Sequence, residues 1–491
     1  MVYVLSYAEV EVLASLSRRW GAQQSIIGLV IVLSCLRLAH VHLLWADEDY
    51  HLAAAINLLH GKAPYRDFWY DKPPLSAFYY LLIGGFPGWP LRFLDAAYIG
   101  IACYLAYRLA TYWWSKAEGY VAACLLAFFT TFYLPSAVIP FAADAVMLVP
   151  HLAAIYLAYC RKPVWAGVFC GIAFLANAKA LFVLAACAMW LLPEIIWLIL
   201  GFALPVAAGF LLLFFAGAWP GYVEQVWRWG LIYTKGAPVM HPFVNGIVRT
   251  ANWIGFHAVL ALGAVWVFLR VSRDDRWKLG TWLIFSFAAV ALGSRFAPHY
   301  FLQLLPPLAI AASRGLVLVT GEYRRVAITA CIVLLAVPFI RFGPHYLLLA
   351  LDNLQGRRSN WSDVQMDLDG QDVARQVNAW AKGGDTLLVW GYRPDVYVYT
   401  RMVSDSRFWD SQPLTGVPAD RHLSGTTAIY STSAALNREE LLHSRPTWII
   451  DGLGRFNPKL KPSAFPELKP WLAHYKLVGG TKLSWIYRRT D

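Results

Sequence analysis

The stretch Trp45–Leu75, WADEDYHLAAAINLLHGKAPYRDFWYDKPPL, decides how the rest of the chain is interpreted. It follows an apolar run at 24–44 that is long enough to cross a bilayer. Acidic side chains are costly near hydrocarbon, so they either reach water or belong to a functional site. This stretch nevertheless places several acids soon after that run: Asp47, Glu48, Asp49, Asp67 and Asp71.

The composition is that of a polytopic membrane protein. Of the 491 residues, 58% are hydrophobic and only 15% are charged, and the mean hydropathy is +0.47. Soluble domains carry about 25% charged residues. The net charge of +12 fits basic loops that contact membrane lipids, and since no nucleic-acid-binding motif occurs we expect no nucleic-acid partner. The seven cysteines lie in apolar runs without metal-site spacing, so we interpret them as small buried apolar residues.

The apolar runs predict about 11 transmembrane helices, some of them short. They lie at 24–44, 90–111, 120–139, 145–160, 164–179, 180–193, 196–216, 251–270, 279–293, 301–319 and 326–342. Basic residues occupy every second loop and assign those loops to the cytoplasm: Arg18–Arg19, Lys116, Arg161–Lys162, Arg270, Arg273, Arg276, Lys278 and Arg324–Arg325. The remaining loops, which include Trp45–Leu75, then share the opposite face of the membrane.

These patterns divide the chain into three parts. Residues 1–23 are predicted to form an amphipathic helix on the cytoplasmic membrane surface. Residues 24–343 form the transmembrane domain, whose first outer loop is 45–89. Residues 344–491 have a soluble composition, and alternating strand-like and helical segments predict an α/β domain on the outer face.

Four segments of the C-terminal domain carry this prediction. GGDTLLVWGY (383–392) and RPTWIIDG (445–452) are typical of buried strands bounded by turn residues. GQDVARQVNAWAKGG (370–384) predicts a helix that ends at Gly383. YKLVGGTKLSWIYRR (475–489) predicts a hairpin that turns at Gly479–Gly480.

The first acids of the stretch are candidates for catalysis. They precede a segment, Tyr50–Gly61, that predicts an amphipathic helix along the membrane surface, and a helix N-terminus favours negative charge. An ionised carboxylate that faces a water-filled cleft can act as a general base toward an acceptor hydroxyl. We therefore predict a cleft with Asp47 and Glu48 as catalytic acids. The alternative is that they only solvate the end of a helix.

Two further segments on the same face add charge. Lys72 is predicted to contact a phosphate, with Arg66, Asp67 and Asp71 beside it as supporting residues, although these charges alone also fit a solvated turn. Asp144, a single acid between two spans, is either a further acid of the cleft or a helix N-cap.

A second group of cations reaches the same face. Lys179 interrupts the apolar hairpin FLANAKALF, and Arg295, His299 and Tyr300 enter the span of SRFAPHYFLQLLPPLAI. They are predicted to bind an anionic lipid headgroup, whereas the alternatives are a snorkelling lysine and interfacial anchors. Arg37 and Arg92, which lie in or near spans, are interpreted as structural ion-pair partners, and His51 and His241 near carboxylates leave a divalent metal ion open as a cofactor.

Taken together, ADED…GKAPYRDFWYDKPPL, the acid at 144, the lysine at 179 and SRFAPHYFLQLLPPLAI resemble the GT-C superfamily of polytopic glycosyltransferases. More narrowly, they resemble the branch with bacterial protein O-mannosyltransferases and the lipid A aminoarabinose transferase. The family's pattern often has Glu before the lysine, where this chain has Asp71. The resemblance implies transfer of a sugar from a polyprenyl-phosphate donor to a glycolipid, polysaccharide or protein acceptor at the periplasmic face of a bacterial inner membrane.

The resemblance also implies roles for single residues. Asp47 would be the base or the acid that orients the acceptor, with Glu48 supporting it and Asp144 as the second acid of the cleft. The donor phosphate would be bound by Lys72, Lys179 and Arg295, with His299 and Tyr300 beside them. Direct displacement of a lipid phosphate predicts inversion at the sugar carbon. A transporter or a flippase for lipid-linked sugars remains the alternative, although no inverted repeat is apparent and the charges gather at one membrane face rather than at the midplane.

Overall fold

The computed structural model describes residues 22–133, 140–235, 241–419, 422, 426 and 431–491. Of the interfacial helix predicted at 1–23, all but the last two residues lie outside this range. The described chain folds into a helical domain followed by a smaller α/β domain, as the sequence predicts. The two domains meet at the segment 45–89, which we call the first loop.

The helical domain contains seventeen described α-helices. They are α1 (Ala22–Leu38), α2 (Glu48–Leu59), α3 (Leu75–Phe78), α4 (Trp89–Trp113), α5 (Lys116–Phe129), α6 (Ala143–Val146), α7 (Leu148–Tyr159), α8 (Pro163–Ala176), α9 (Ala180–Trp190), α10 (Ile195–Phe215), α11 (Trp219–Tyr222), α12 (Trp229–Lys235), α13 (Pro242–Phe256), α14 (Ala258–Arg270), α15 (Arg273–Ala291), α16 (Leu305–Glu322) and α17 (Arg324–Leu354). Short 3₁₀ segments lie at Tyr79–Ile83, Leu192–Glu194 and Pro298–Leu304, and a π-helical turn lies at Val223–Arg228.

The apolar helices make this a multi-pass membrane protein, but they do not confirm the predicted number of spans. Four helical stretches in the described chain are long and apolar enough to cross a bilayer: Trp89–Trp113, Leu192–Phe215, Pro298–Glu322 and Arg324–Leu354. A fifth is possible by length and composition if α13 and α14 count as one span, but they bend by 92°. The span predicted at 251–270 is therefore broken after Phe256, where α13 ends. Several other predicted spans form apolar helices of 10–17 residues.

Close glycine contacts hold neighbouring apolar helices together. Gly167 of α8 lies against the backbone of Leu198 in α10, and Gly315 of α16 lies against the backbone of Gly263 in α14. Neither position leaves room for a Cβ atom. Small residues at such crossings let helix backbones approach closely, which is the usual way that helices pack in a membrane.

Buried ion pairs join the first helix and the first loop to α4. Arg37 of α1 pairs with Asp95 at 2.6 Å, and Arg92 of α4 pairs with Glu48 at 2.8 Å. All four side chains are at most 2% exposed. The structural pairing predicted for both arginines is confirmed. Burying charge this deeply is tolerated because each ion has an oppositely charged partner.

The first loop differs from its predicted amphipathic form. Helix α2 begins at Glu48, and Leu52 and Ile56 are completely buried, but so are the residues on its other faces. The reason is tertiary, because the C-terminal domain covers the side that would otherwise face water. Trp409 donates to the Trp69 carbonyl at 2.5 Å, and Arg401 donates to the Gly85 carbonyl at 2.7 Å.

The C-terminal domain has a four-stranded sheet with strand order β1-β2-β4-β3. Its elements are α18 (Gln365–Asn378), β1 (Leu387–Trp390), α19 (Asp395–Thr400), α20 (Gln412–Thr415), α21 (Thr432–Leu441), β2 (Trp448–Asp451), α22 (Lys469–Leu472), β3 (Tyr475–Gly480) and β4 (Trp485–Arg489), with short 3₁₀ turns at Ser362–Val364, Pro458–Leu460, Pro462–Ala464 and Pro466–Leu468. Strands β1 and β2 are parallel and fully buried, while the β2–β4 and β3–β4 pairs are antiparallel. Both buried strands are confirmed.

Three predicted boundaries shift. Helix α17 continues through position 344 to Leu354, so the predicted domain boundary falls inside a helix. Helix α18 begins at Gln365 and ends at Asn378, before the predicted stop at Gly383. The hairpin turns at 481–484, because Gly479 and Gly480 pair within β3 next to an irregularity in the strand register.

Candidate functional site

A cavity of about 510 Å³ opens where the first loop meets α6, the α8–α9 turn and the 3₁₀ segment Pro298–Leu304. We call it the cationic cavity, because four cations but only two acids line it among the residues that the structure describes. Its charged and polar lining residues are Asp47, His51, Lys72, Asp144, Asn177, Lys179, Asn245, Arg249, Arg295, His299 and Tyr300. Of the residues predicted for catalysis or phosphate binding, the structure brings all but Glu48 to this one cavity.

Asp47 stands at the N-cap position of α2 with its side chain on the cavity. Its backbone has φ 78° and ψ −32°, a conformation that costs a non-glycine residue about 1–3 kcal/mol and that tends to occur at functional sites. The carboxylate makes no hydrogen bond to the described residues and does not cap the helix. An acid held in this way has its oxygens available for a ligand.

Glu48 lies next to Asp47 but faces away from the cavity. Its carboxylate is fully buried and accepts hydrogen bonds from Arg92 at 2.8 and 3.0 Å. It also accepts from the backbone N–H groups of Phe141 at 3.0 Å and Trp45 at 3.2 Å. Glu48 therefore ties α4 and the segment before α6 to the start of the first loop, next to Asp47.

Asp144 forms the centre of a hydrogen-bonded cluster at the start of α6. Its Oδ1 atom accepts from Lys179 Nζ and Asn177 Nδ2, each at 3.0 Å, and from Gln303 Nε2 at 3.3 Å. Its Oδ2 atom lies 3.8 Å from His299 Nε2. The carboxylate is thus held by neighbouring side chains and does not cap its helix, which was the alternative raised by the sequence.

Lys179 lies between an acid and an aromatic ring. Its ammonium group is 3.0 Å from Asp144 and 3.2 Å from the ring centroid of Tyr300. An ammonium group has three donors, and the carboxylate contact uses only one of them. Lys179 can therefore keep this position and still donate to an anion in the cavity.

Lys72 reaches the cavity from a firmly held part of the first loop. Its carbonyl accepts from the Tyr65 hydroxyl at 2.7 Å, and its ammonium group lies 3.3 Å from Asp71. Gln225 secures this region by donating to the Tyr65 carbonyl and accepting from the Tyr70 N–H, both at 2.7 Å. These hydrogen bonds therefore fix the backbone of the loop around Lys72.

Arg66 and Asp67, predicted as supporting residues, lie apart from this cavity. They pair with each other at 2.7 Å, and their side chains are 50% and 31% exposed. The pair fits the solvated turn that the sequence left open. Asp71 is 10% exposed and contacts Lys72, so it is the supporting acid closest to the cavity.

Arg295 enters the cavity from a tight turn before the 3₁₀ segment Pro298–Leu304. The residues on either side, Ser294 and Phe296, have φ values of 57° and 48°. The Arg295 carbonyl accepts from Asn245 Nδ2 at 3.4 Å, which connects the turn to α13. This geometry aims a guanidinium group, a good phosphate ligand, into the cavity.

The two histidines considered for metal binding do not join a metal site. His51 is buried, its Nδ1 lies 2.6 Å from the Tyr70 hydroxyl, and burial followed by the charge of Lys72 lowers its pKa to about 3. His241 is exposed and does not line the cavity. Among the described residues, no group of three His, Cys, Asp or Glu side chains is arranged to hold a metal ion. The side chains of the described residues thus do not fit a metal centre.

Sequence reasoning missed several polar residues of the site: Asn177, Asn245, Arg249 and Gln303. Asn177 precedes Lys179 by two residues and was detectable as a polar interruption of the same apolar hairpin. Gln303 lies one helical turn after His299, within an apolar segment. Asn245 and Arg249 had no such sign, because it is the tertiary fold that brings α13 to the cavity, where Asn245 contacts Arg295.

Comparison with known proteins supports the fold. No protein-family model and no curated protein sequence matches the chain. A crystal structure of ArnT from Cupriavidus metallidurans in the apo state superposes with a TM-score of 0.58 at 13% identity, covering 94% of this chain and 96% of that one. The same protein bound to undecaprenyl phosphate gives a TM-score of 0.55 at 13% identity, with 95% and 97% covered. The predicted resemblance to GT-C proteins is thus confirmed at the level of the fold, along nearly the whole chain.

Proposed function

We propose that this protein is an inverting membrane glycosyltransferase that moves a sugar from a polyprenyl-phosphate donor to an acceptor hydroxyl. The observation that carries the proposal is the cationic cavity, in which four described cations share one space with an Asp47 carboxylate that makes no hydrogen bond to the described residues. The fold of ArnT, crystallised with undecaprenyl phosphate, supports the same conclusion. The basic residues in every second loop support a position of the cavity and the C-terminal domain on the extracytoplasmic side, and the resemblance to GT-C enzymes favours the periplasmic side of a bacterial inner membrane.

The phosphate of the donor binds to the cations. Lys72, Lys179 and Arg295 approach it from three separate segments of the chain, and His299 and Tyr300 lie beside them. Because the leaving group is a phosphate, negative charge grows on it as its bond to the sugar breaks. Cations already in position stabilise that charge, which is often the largest contribution to a lowered barrier. Asp144 serves this step indirectly, since it holds Lys179 in place.

Asp47 acts on the acceptor. It accepts the proton of the acceptor hydroxyl while that oxygen forms a bond to the anomeric carbon of the sugar. The bond between this carbon and the phosphate oxygen breaks, and its electron pair leaves with polyprenyl phosphate. Attack from the side opposite the phosphate inverts the configuration of the sugar carbon. Glu48 takes no part in the proton transfer and instead fixes the backbone beside Asp47.

The test is transfer of label from a panel of radiolabelled polyprenyl-phosphate sugars in membranes that contain the parent protein or Asp47→Asn. The parent should transfer label and release polyprenyl phosphate, and the variant should do neither at a detectable rate. The matched control is Asp274→Asn, which removes an exposed carboxylate from α15. This control should keep the activity of the parent.

Two results would contradict the proposal. Full activity of Asp47→Asn would remove the base from the mechanism. Movement of intact donor across the membrane, with no polyprenyl phosphate released by any member of the panel, would instead identify a flippase.

A further inference from the structure

A second cavity, of about 530 Å³, lies between the start of the first loop and the C-terminal domain. We call it the acidic cavity. Asp47 and Pro140 line both cavities, so the two spaces meet at the candidate base. The first loop supplies one wall, including Trp45 and Asp49, and the C-terminal domain supplies the other.

The two cavities have opposite charge. Among the described residues, the cationic cavity is lined by four cations and two acids, whereas the acidic cavity is lined by five aspartates and one arginine: Asp47, Asp49, Asp363, Asp367, Asp395 and Arg393. The arginine is already engaged, because it donates to Asp395, to Asp369 and to the Met366 carbonyl. Acids thus outnumber basic side chains among the described lining residues, which disfavours a phosphate or a carboxylate in this space.

Asp49 gives the acidic cavity a binding group. The residue is 7% exposed, and its one hydrogen bond among the described residues is accepted from the adjacent Tyr50 N–H at 2.8 Å. No described cation pairs with it, and its second oxygen remains available in the cavity. Burial, then the nearby carboxylates of Asp395 and Asp47, raise the pKa of Asp49 well above its usual value. A buried carboxyl oxygen without a hydrogen-bond partner is costly unless a ligand supplies the bond.

We propose that the acidic cavity binds the sugar end of the acceptor, a hydroxyl-rich group that carries no phosphate or carboxylate. Carboxylate oxygens accept hydrogen bonds from hydroxyl groups, and the Trp45 and Tyr392 side chains supply apolar wall for a sugar ring. One acceptor hydroxyl then lies at Asp47, where the cavities meet and the donor sugar is held. This inference rests on the proposed function and assigns the acceptor class to the same site.

The experiment separates donor cleavage from acceptor use. Release of polyprenyl phosphate without acceptor, by slow transfer to water, reports on the cationic cavity alone. Acceptors are then compared: neutral oligosaccharides, long-chain alkyl glucoside, galactoside, mannoside and N-acetylglucosaminide, the alkyl glucoside 6-phosphate, and a serine-containing peptide. The oligosaccharides and alkyl glycosides distinguish a polysaccharide from a glycolipid as the source of the sugar end.

Two variants and one control test the charge of the cavity. Asp49→Asn should raise the KM for neutral sugar acceptors about tenfold and leave the KM for the donor unchanged, because the amide keeps one oxygen where the carboxyl group has two and a hydrogen bond from the sugar is lost. Asp363→Lys, at an exposed position on the rim, should narrow the preference for the neutral glucoside over its 6-phosphate. Glu439→Lys reverses an exposed charge on α21 outside the cavity. This control should change neither the KM for neutral sugar acceptors nor the preference for the neutral glucoside over its 6-phosphate.

Preference of the parent for the 6-phosphate, or labelling of the peptide alone, would overturn the inference. The inference would also fail if the donor were hydrolysed but no neutral sugar accepted the label. It would fail as well if Asp49→Asn changed only the KM for the donor. In all these cases the donor is still cleaved, so the proposed function survives. Absence of donor cleavage under every condition would overturn both.

Discussion

Replacing Glu48 with Gln should destabilise the protein strongly, because Glu48 is an anchor and not a second base. The substitution keeps the shape of the side chain and removes its charge. Arg92, which is completely buried, would then have the Leu43 carbonyl as its one remaining strong acceptor, at 2.7 Å. The N–H groups of Phe141 and Trp45 would compete for the single oxygen that the amide retains.

The expected magnitude follows from the burial of both ions. Removing one partner from a buried ion pair costs about 3–5 kcal/mol, because the other charge is left uncompensated. Both side chains of this pair are 0% exposed, so screening by water does not reduce the loss. A change of 1 kcal/mol moves the thermal midpoint by about 2–4 °C in proteins of 150–250 residues and by less in longer chains. We therefore expect Glu48→Gln to lower the midpoint by roughly 5 °C or more.

The assay is thermal unfolding of purified protein in detergent, with the activity of the surviving fraction measured at low temperature. Glu48→Gln should unfold earlier but keep transfer activity per folded molecule, whereas Asp47→Asn should keep its midpoint and lose activity. Arg92→Met alone should also destabilise, and Glu48→Leu combined with Arg92→Met should recover stability, because no unpaired charge remains. A Glu48→Gln variant with an unchanged midpoint and no activity would refute this reasoning and return Glu48 to the chemistry.

Three further predictions concern the cations, the pH and the topology. Arg295→Ala should raise the KM for the donor at least about tenfold and leave that for the acceptor unchanged in initial-rate measurements, and the reverse pattern would move Arg295 to the acceptor side. Burial, followed by the nearby Asp71 carboxylate, raises the pKa of Asp410 to about 7. Because the folded state holds that proton more tightly than the unfolded chain, stability should fall by up to about 4 kcal/mol between pH 4 and 7. Asp410→Asn should therefore raise the thermal midpoint at pH 8 and not at pH 4, and an equal shift at both would exclude titration as the cause. A membrane-impermeant maleimide should label Asp363→Cys and not Asp274→Cys in intact cells, whereas the opposite result would invert the membrane orientation.

Most of the charged residues that line the cationic cavity could be predicted from the sequence. Hydropathy located the apolar helices, because burial in lipid demands apolar side chains wherever the chain crosses. The scarcity of charge in such a chain made Asp47, Asp144, Lys179 and Arg295 conspicuous, and all four line the cationic cavity. The buried strands of the C-terminal domain were also predictable, since short apolar runs lie between turn residues.

Other features required the tertiary structure. Glu48 and Asp47 are neighbours in sequence, and no local pattern distinguishes the buried anchor from the acid that lines the cavity. Their roles separate because Arg92 arrives from another helix to pair with one of them. The number of spans was likewise not determined by composition, because α13 and α14 meet at a 92° bend that hydropathy does not detect.

By itself, therefore, the sequence determined that this is a multi-pass membrane protein with charged groups gathered at one face, because hydropathy and charge act residue by residue. Only the tertiary structure decided that these groups form two adjoining cavities of opposite charge that meet at Asp47. The walls of the acidic cavity come from segments more than 300 residues apart in the chain. The physical reason is that an electrostatic environment depends on distances in space, and folding alone sets those distances.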